Sequence, residues 1–182
     1  AAEDGNNGTT VQAFTRNDGT RAWVKSVLYS GSGRGGDAYS VRDLHVHRDR
    51  VTGVARVFAA FGDKGVFSAV YDPEEPGLLR WESDPEMGPL EMRPMAITDV
   101  NGALVFSSGA RIYQRIDGEQ PAYRVIHDLS DLPDADTVTA TFGGIRGLTA
   151  VPSSKGAEES LLFVWNSNSL NKGNIYRLDP YQ

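Results

Sequence analysis

The sequence predicts an all-β fold of short antiparallel strands, and three observations carry that prediction. First, 20 glycines and 9 prolines in 182 residues suit many turns rather than long helices. Second, no window of about eleven residues sustains a 3.6-residue apolar period. Third, apolar runs of about four to eight residues recur, each bounded by Gly, Asp, Asn or Pro, which is the pattern of strands joined by tight turns.

The most complete unit spans residues 41–86. Its strands are expected at 41–47, 55–61, 66–71 and 78–82. The same plan returns twice. Val41-Arg42-Asp43-Leu44, Met92-Arg93-Pro94-Met95 and Ile145-Arg146-Gly147-Leu148 share an apolar-Arg-x-apolar opening. Turn glycines follow at Gly53, Gly102 and Gly156, then second strands centred on Phe58, Phe106 and Phe163. Asn101-Gly102 is a hairpin signal, because both central residues of a type I′ turn need positive φ. Third strands carry an aromatic and then an aspartate: Phe67 to Asp72, Tyr113 to Asp117, Tyr176 to Asp179. Fourth strands are expected near Leu79-Arg80-Trp81 and Tyr123-Arg124-Val125.

These spacings divide residues 1–182 into a half unit at 9–29, full units at 41–86 and 92–129, and an incomplete unit at 145–180. Four strands per period of about fifty residues resembles a β-propeller of six or seven four-stranded blades, or part of one. Neither a Trp-Asp blade dipeptide nor a clear paired-glycine kelch motif is present, so the resemblance stops at the fold. A β-sandwich is the alternative, because its strands recur at similar spacing. Thirteen expected strands make little more than three blades. A propeller reading therefore implies further blades or a second chain to close the ring.

Charge and composition exclude several classes. Lys+Arg 18 against Asp+Glu 24 gives a net charge of −6, the wrong sign for a surface that neutralises phosphates. No apolar run approaches the roughly 20 residues of a membrane helix. There is no cysteine, which removes disulfides, thiolate metal sites and cysteine nucleophiles. The small, polar start with the sequon Asn7-Gly8-Thr9 reads either as a mature end after signal cleavage, with a secreted or periplasmic protein as the expectation, or as a flexible linker.

Candidate site residues follow from the expected register. Loops entering the first strands and joining strands two and three share one face, and they vary in length. Function is expected there, at the mouth of a central channel. Arg42, Arg93 and Arg146 open three first strands and can clamp a carboxylate, phosphate or sulfate; the competing reading pairs each with a loop carboxylate such as Asp43, Glu91 or Asp136. His45 and His47 alternate along one strand face and suit a divalent metal, with Asp99 as third ligand; polar filling between blades is the simpler role. Asp99-Val100-Asn101 or the acidic stretch at 128–136 offers oxygen ligands to calcium, against a plain hairpin and a solvated loop. Trp165 with Asn166 and Asn168 resembles a sugar subsite, stacking plus neutral hydrogen bonds. The glycine-rich run at 30–36 lacks P-loop spacing and reads as a linker.

No Gly-x-Ser-x-Gly elbow is present. The expected function is a non-enzymatic propeller or scaffold that binds a small molecule, glycan or protein through its variable loops. The alternative is a metal-dependent hydrolase or lyase working at the channel mouth.

Overall fold

A computed structural model describes residues 2–5, 8–17, 20–29, 41–61, 65–75, 79–86, 94–129, 144–153, 158–167 and 172–179. The fold is all-β. Among the described residues fourteen strands run as β1 (Ala2–Gly5), β2 (Gly8–Asn17), β3 (Thr20–Tyr29), β4 (Val41–Arg48), β5 (Ala55–Phe61), β6 (Val66–Val70) and β7 (Glu82–Ser83), then β8 (Pro94–Val100), β9 (Ala103–Ser108), β10 (Arg111–Ile116), β11 (Ala122–Asp128), β12 (Gly144–Pro152), β13 (Glu159–Ser167) and β14 (Lys172–Leu178). They form four antiparallel sheets in which sequential strands are neighbours: β1–β3, β4–β7, β8–β11 and β12–β14. None of these sheets closes on itself. No helix among the described residues is long and apolar enough to cross a membrane.

The first sheet holds one strand more than the sequence predicts. β1 pairs with β2 from Ala2↔Val11 to Gly5↔Gly8. The tetrapeptide Ala-Glu-Asp-Gly has no apolar alternation, and a strand defined by backbone pairing alone leaves no side-chain signature. β7 is shorter and later than expected, because Leu79–Trp81 precedes the pairing of Phe67 with Ser83 and Ser68 with Glu82.

Register aligns the second, third and fourth sheets. Leu44↔Ala59↔Phe67, Ile97↔Phe106↔Tyr113 and Leu148↔Phe163↔Tyr176 are matching cross-strand rows. Ala59, not Phe58, therefore matches Phe106 and Phe163. The sequence pattern favours Phe58 because a small residue carries no signal beside a large aromatic. Phe106 stacks on Tyr113, and Phe163 on Tyr176, adding directional contact to the area these rings bury.

Each of these sheets has a bulge near the start of its first strand, at Arg42, Met95 and Arg146. A bulge inserts one residue opposite none and tightens the local twist. Met95 holds it in β8, whereas the shared sequence opening places Arg93 there; Arg93 itself lies outside the described residues.

The first strands lie in succession, β4 against β8 and β8 against β12. Between the second and third sheets the core contains Phe58, Ala60, Val66, Ile97, Leu104 and Phe106, with Tyr113 and Tyr123 against it. Between the third and fourth it contains Val105, Ile112, Leu129, Ile145, Phe163 and Trp165. The fourth sheet approaches closely: Ile145 N donates to Gly109 O at 2.9 Å, and Ser107 Oγ donates to Ile145 O at 2.9 Å.

Candidate functional site

Among the described residues a dense group of charged side chains is held by hairpin chemistry at the end of β4. Asp49 Oδ1 accepts the backbone N–H groups of Val51 and Thr52, both at 2.9 Å, as aspartates do when they organise a turn. Gly53 completes the turn at φ +73°, where a Cβ would be strained. The second carboxylate oxygen, Oδ2, points to the third sheet. It accepts Arg115 Nη1 at 2.9 Å and Gly118 N at 3.1 Å.

Arg115 lies in β10 and bridges Asp49 to Asp117, which stands just beyond the strand. Its guanidinium also lies over the Phe58 ring, 5.8 Å from the centroid. Asp117 Oδ2 accepts Arg50 N at 3.0 Å and Arg50 Nε at 3.3 Å. Its Oδ1 takes His47 Nε2 at 3.0 Å, while His47 Nδ1 reaches Asp99 Oδ1 at 2.9 Å. Carboxylates only accept, so His47 donates from both ring nitrogens as an imidazolium. Three cations, His47, Arg50 and Arg115, then balance three carboxylates, Asp49, Asp99 and Asp117.

This pairing sets the direction in which each group's pKa moves. Burial disfavours charge on His47, but hydrogen bonds to Asp99 and Asp117 and their negative charges outweigh it and raise the pKa. Burial likewise opposes the Asp99 carboxylate, yet His45 and His47 beside it hold its pKa at about 2. Asp49 is held well below the carboxylate range, against burial, by Thr52 N, Arg115, Gly118 N and Val51 N. Asp117 is lowered by Arg50 N and His47.

The structure therefore brings His45, His47 and Asp99 together, but not as a ligand set. His45 Nε2 lies 3.4 Å from Asp99 Oδ1. A metal ligand needs a ring lone pair, and both nitrogens of the buried His47 are bonded to carboxylates. Among the described residues no group of three or more His, Asp or Glu side chains is placed to hold a metal ion. For the same reason His47 has no lone pair with which to act as a general base.

The other candidates separate. Arg42 and Arg146 are exposed on the bulges of β4 and β12, with β8 between these strands. Asp43 is engaged elsewhere, accepting Leu44 N and Ile97 N, each at 2.9 Å. Trp165 is no stacking platform: only 2% of its surface is exposed, within the core between the third and fourth sheets. An aromatic beside a polar loop reads as a sugar site only if it is outside, and the alternation of β13 turns this one inward. Asn166 pairs in β13 with Gly144 and Gly173; Asn168 lies outside the described residues. The variable-loop face is also largely outside them, including 31–40, 87–93, 130–143 and 168–171. Asp99-Val100-Asn101 forms the expected hairpin, with Asn101 at φ +50° and Gly102 at φ +73°. In the acidic stretch, Asp128 pairs with Arg111 Nε at 2.7 Å, and 130–136 lies outside the described residues.

Sequence reasoning missed Asp117 as a partner of His47, and Asp49, Arg50 and Arg115 as the rest of the charged network around it. A signal was available: His45, His47 and Asp49 alternate, as do Arg115 and Asp117, so each set shares a face.

A cleft of about 600 Å³ opens between the third and fourth sheets. Val125, Ile126, Leu161 and Leu178 form apolar walls, and Asn101, Gln114, Arg124, Glu159 and Asp179 supply polar groups. Its volume falls in the range of small-molecule sites, about 300–1,000 Å³. No protein-family model matches the chain, and no curated protein matches it.

Proposed function

We propose that the chain is a portion of a β-propeller that acts as a non-enzymatic binding or scaffold module. The succession of antiparallel meanders, with first strand against first strand, is what supports the propeller reading; a β-sandwich accommodates the same sheets. One observation carries the functional reading. The charged groups suited to chemistry are paired with one another across the boundary between two sheets, whereas the 600 Å³ cleft presents polar groups among apolar walls. Buried ion pairs of this kind fix geometry more than they add stability. A mixed cleft on a rigid scaffold is suited to recognition.

The ligand class that fits is a small amphipathic molecule with both donor and acceptor groups, facing Arg124 on one side and Glu159 and Asp179 on the other. Thermal-shift screening with short peptides, amino sugars and zwitterionic metabolites tests this. A stabilising compound whose effect disappears in both Arg124→Ala and Glu159→Gln supports the cleft. Stabilisation untouched by both variants overturns it. Hydrolysis of ester, phosphate or glycoside substrates that is lost in His47→Gln overturns the non-enzymatic reading.

A further inference from the structure

The cleft between the third and fourth sheets lies where the boundary before it is filled by three large side chains. Matching rows put His47, Phe58 and Arg115 of the second–third boundary in register with Val100, Val105 and Leu178 of the third–fourth. His47 meets the Phe58 ring edge-on at 6.2 Å between centroids, and the Arg115 guanidinium covers that ring at 5.8 Å. A cavity of about 260 Å³ remains against Phe58 and Arg115. The equivalent one, against the smaller Val100 and Leu178, reaches about 600 Å³. The pair Ser68↔Glu82 lines the first and the matching neighbours Gln114↔Arg124 line the second.

The same exchange removes the internal balance of charge. At the earlier boundary three cations answer three carboxylates within the protein. In the larger cleft Asp179 is engaged by Ser160 Oγ at 2.6 Å and Arg177 Nε at 2.8 Å. Glu159 has a different environment: its Oε2 accepts Asn101 N at 2.7 Å, and no cation pairs with it among the described residues. Arg124, on the third-sheet wall, donates Nε to Gln114 Oε1 at 2.8 Å and pairs with no carboxylate among the described residues. That bond orients Gln114, which is 9% exposed, with its oxygen on Arg124, so the amide nitrogen is the end left to donate. A carboxylate and a guanidinium, each lacking a countercharge, thus stand on opposite sides of one apolar-walled cleft.

We propose that this cleft takes a free amino acid with a large apolar side chain, bound as its zwitterion. This deepens the binding reading of the same cleft and rests on it. The ligand carboxylate meets Arg124, whose planar fork matches it, with the Gln114 amide nitrogen as a further donor. The ligand ammonium meets Glu159. Its side chain lies on Val100, Leu161 and Leu178, in the space that His47, Phe58 and Arg115 fill at the earlier boundary. A zwitterion is selected because each of its charges answers one wall, whereas a singly charged ligand leaves the opposite charge uncompensated as water is displaced.

Isothermal titration calorimetry with phenylalanine and leucine tests this, beside phenethylamine and hydrocinnamate, which keep the ring and drop one charge each. Phenylalanine should bind about tenfold or more tighter than either analogue, the least that a charge-assisted bond contributes. Glu159→Gln, which keeps an acceptor for Asn101 N, should weaken phenylalanine and phenethylamine by a similar factor and leave hydrocinnamate unchanged. Arg124→Gln should weaken phenylalanine and hydrocinnamate and leave phenethylamine unchanged. Glu82→Gln, at the matching position beside the smaller cavity, should change none of them, and circular dichroism checks that each variant is folded. Failure of both amino acids to bind the folded wild type overturns the proposal. The two readings of the cleft fail separately. A singly charged analogue that binds as tightly as phenylalanine, and weakens only with the variant of its own wall, keeps the cleft as a binding site and ends the zwitterion. Phenylalanine binding that neither Glu159→Gln nor Arg124→Gln disturbs ends the cleft reading as well.

Discussion

His47 Nε2 lies 3.0 Å from Asp117 Oδ1, across the boundary between the second and third sheets. Its Nδ1 makes the matching bond to Asp99 at 2.9 Å. A buried imidazolium between two carboxylates is a structural tie whose strength follows pH.

The sign follows from the shifts. His47 is raised above its ordinary 6.5, so its contribution is complete below about pH 6.5 and is lost as pH rises through the folded value. Asp99, at about 2, and Asp117 are lowered from 3.8, so theirs is complete above about pH 4 and is lost as pH falls through their folded values. Urea midpoints should therefore be level between about pH 4 and 6.5 and decline on both sides. His47→Gln should remove the alkaline decline assigned to this tie and keep an acid one. An identical alkaline decline in wild type and variant would show that His47 is not its source.

Arg115 and Arg50 contact the same aspartate, but with different expected cost. Arg115 and its partners Asp49 and Asp117 are all 5% exposed or less, while Arg50 is 56% exposed. Removing one member of a buried ionic group costs about 3–5 kcal/mol, because the other charges remain buried; an exposed partner contributes about 1 kcal/mol or less. Arg115→Leu should thus lower the urea midpoint far more than Arg50→Ala. Equal losses would show that burial does not govern the network.

The sequence made the strands and turns legible, and the sheet-to-sheet chemistry much less so. An uninterrupted apolar run reveals β5, and turn residues reveal the Asn101-Gly102 hairpin, because these are local features of the sequence. The bulges at Arg42, Met95 and Arg146 shift register by one residue and leave no compositional mark, so Met95 was hidden behind the more conspicuous Arg93. The partners of His47 are 52 and 70 positions away in sequence. Only the stacking of sheets brings them together. Trp165 failed as a site candidate because burial depends on which face of β13 meets a neighbour.

Gly144 marks how closely the fourth sheet approaches the third. A Cβ on it would lie 2.8 Å from Gly109 O, a backbone atom that cannot swing away, whereas one on Gly147 would meet Val164 Cβ at 4.0 Å. Gly144→Ala should destabilise by about 1–3 kcal/mol, within the range for backbone and packing strain. Gly147→Ala should be near neutral. Thermal unfolding of both variants checks this; a harmless Gly144→Ala would mean that β12 can shift relative to the Gly109 turn.

Asn101 joins two roles that substitution can separate. It sits at φ +50° in the β8–β9 turn, and it is bonded three times to Glu159 at the start of β13. Asn101 N donates to Glu159 Oε2 at 2.7 Å, Asn101 Nδ2 donates to Glu159 O at 3.0 Å, and Glu159 N donates to Asn101 Oδ1 at 2.6 Å. Asn101→Gly preserves the turn, which glycine adopts freely, and removes the two side-chain bonds. Their loss should cost about 1–3 kcal/mol, since the Glu159 backbone groups lose partners in a partly buried place. Asn101→Ala loses the same bonds and adds about 1–2 kcal/mol for left-handed backbone at a residue with a Cβ. Stability should therefore fall from wild type to Asn101→Gly to Asn101→Ala. Hydrogen exchange distinguishes the cross-sheet effect from a general one: protection in Asn101→Gly should drop first in β12 and β13, whose contact with the third sheet this residue ties, while β4 and β5 keep theirs. Uniform loss across all four strands would mean that the Asn101–Glu159 bonds do not specifically hold the fourth sheet.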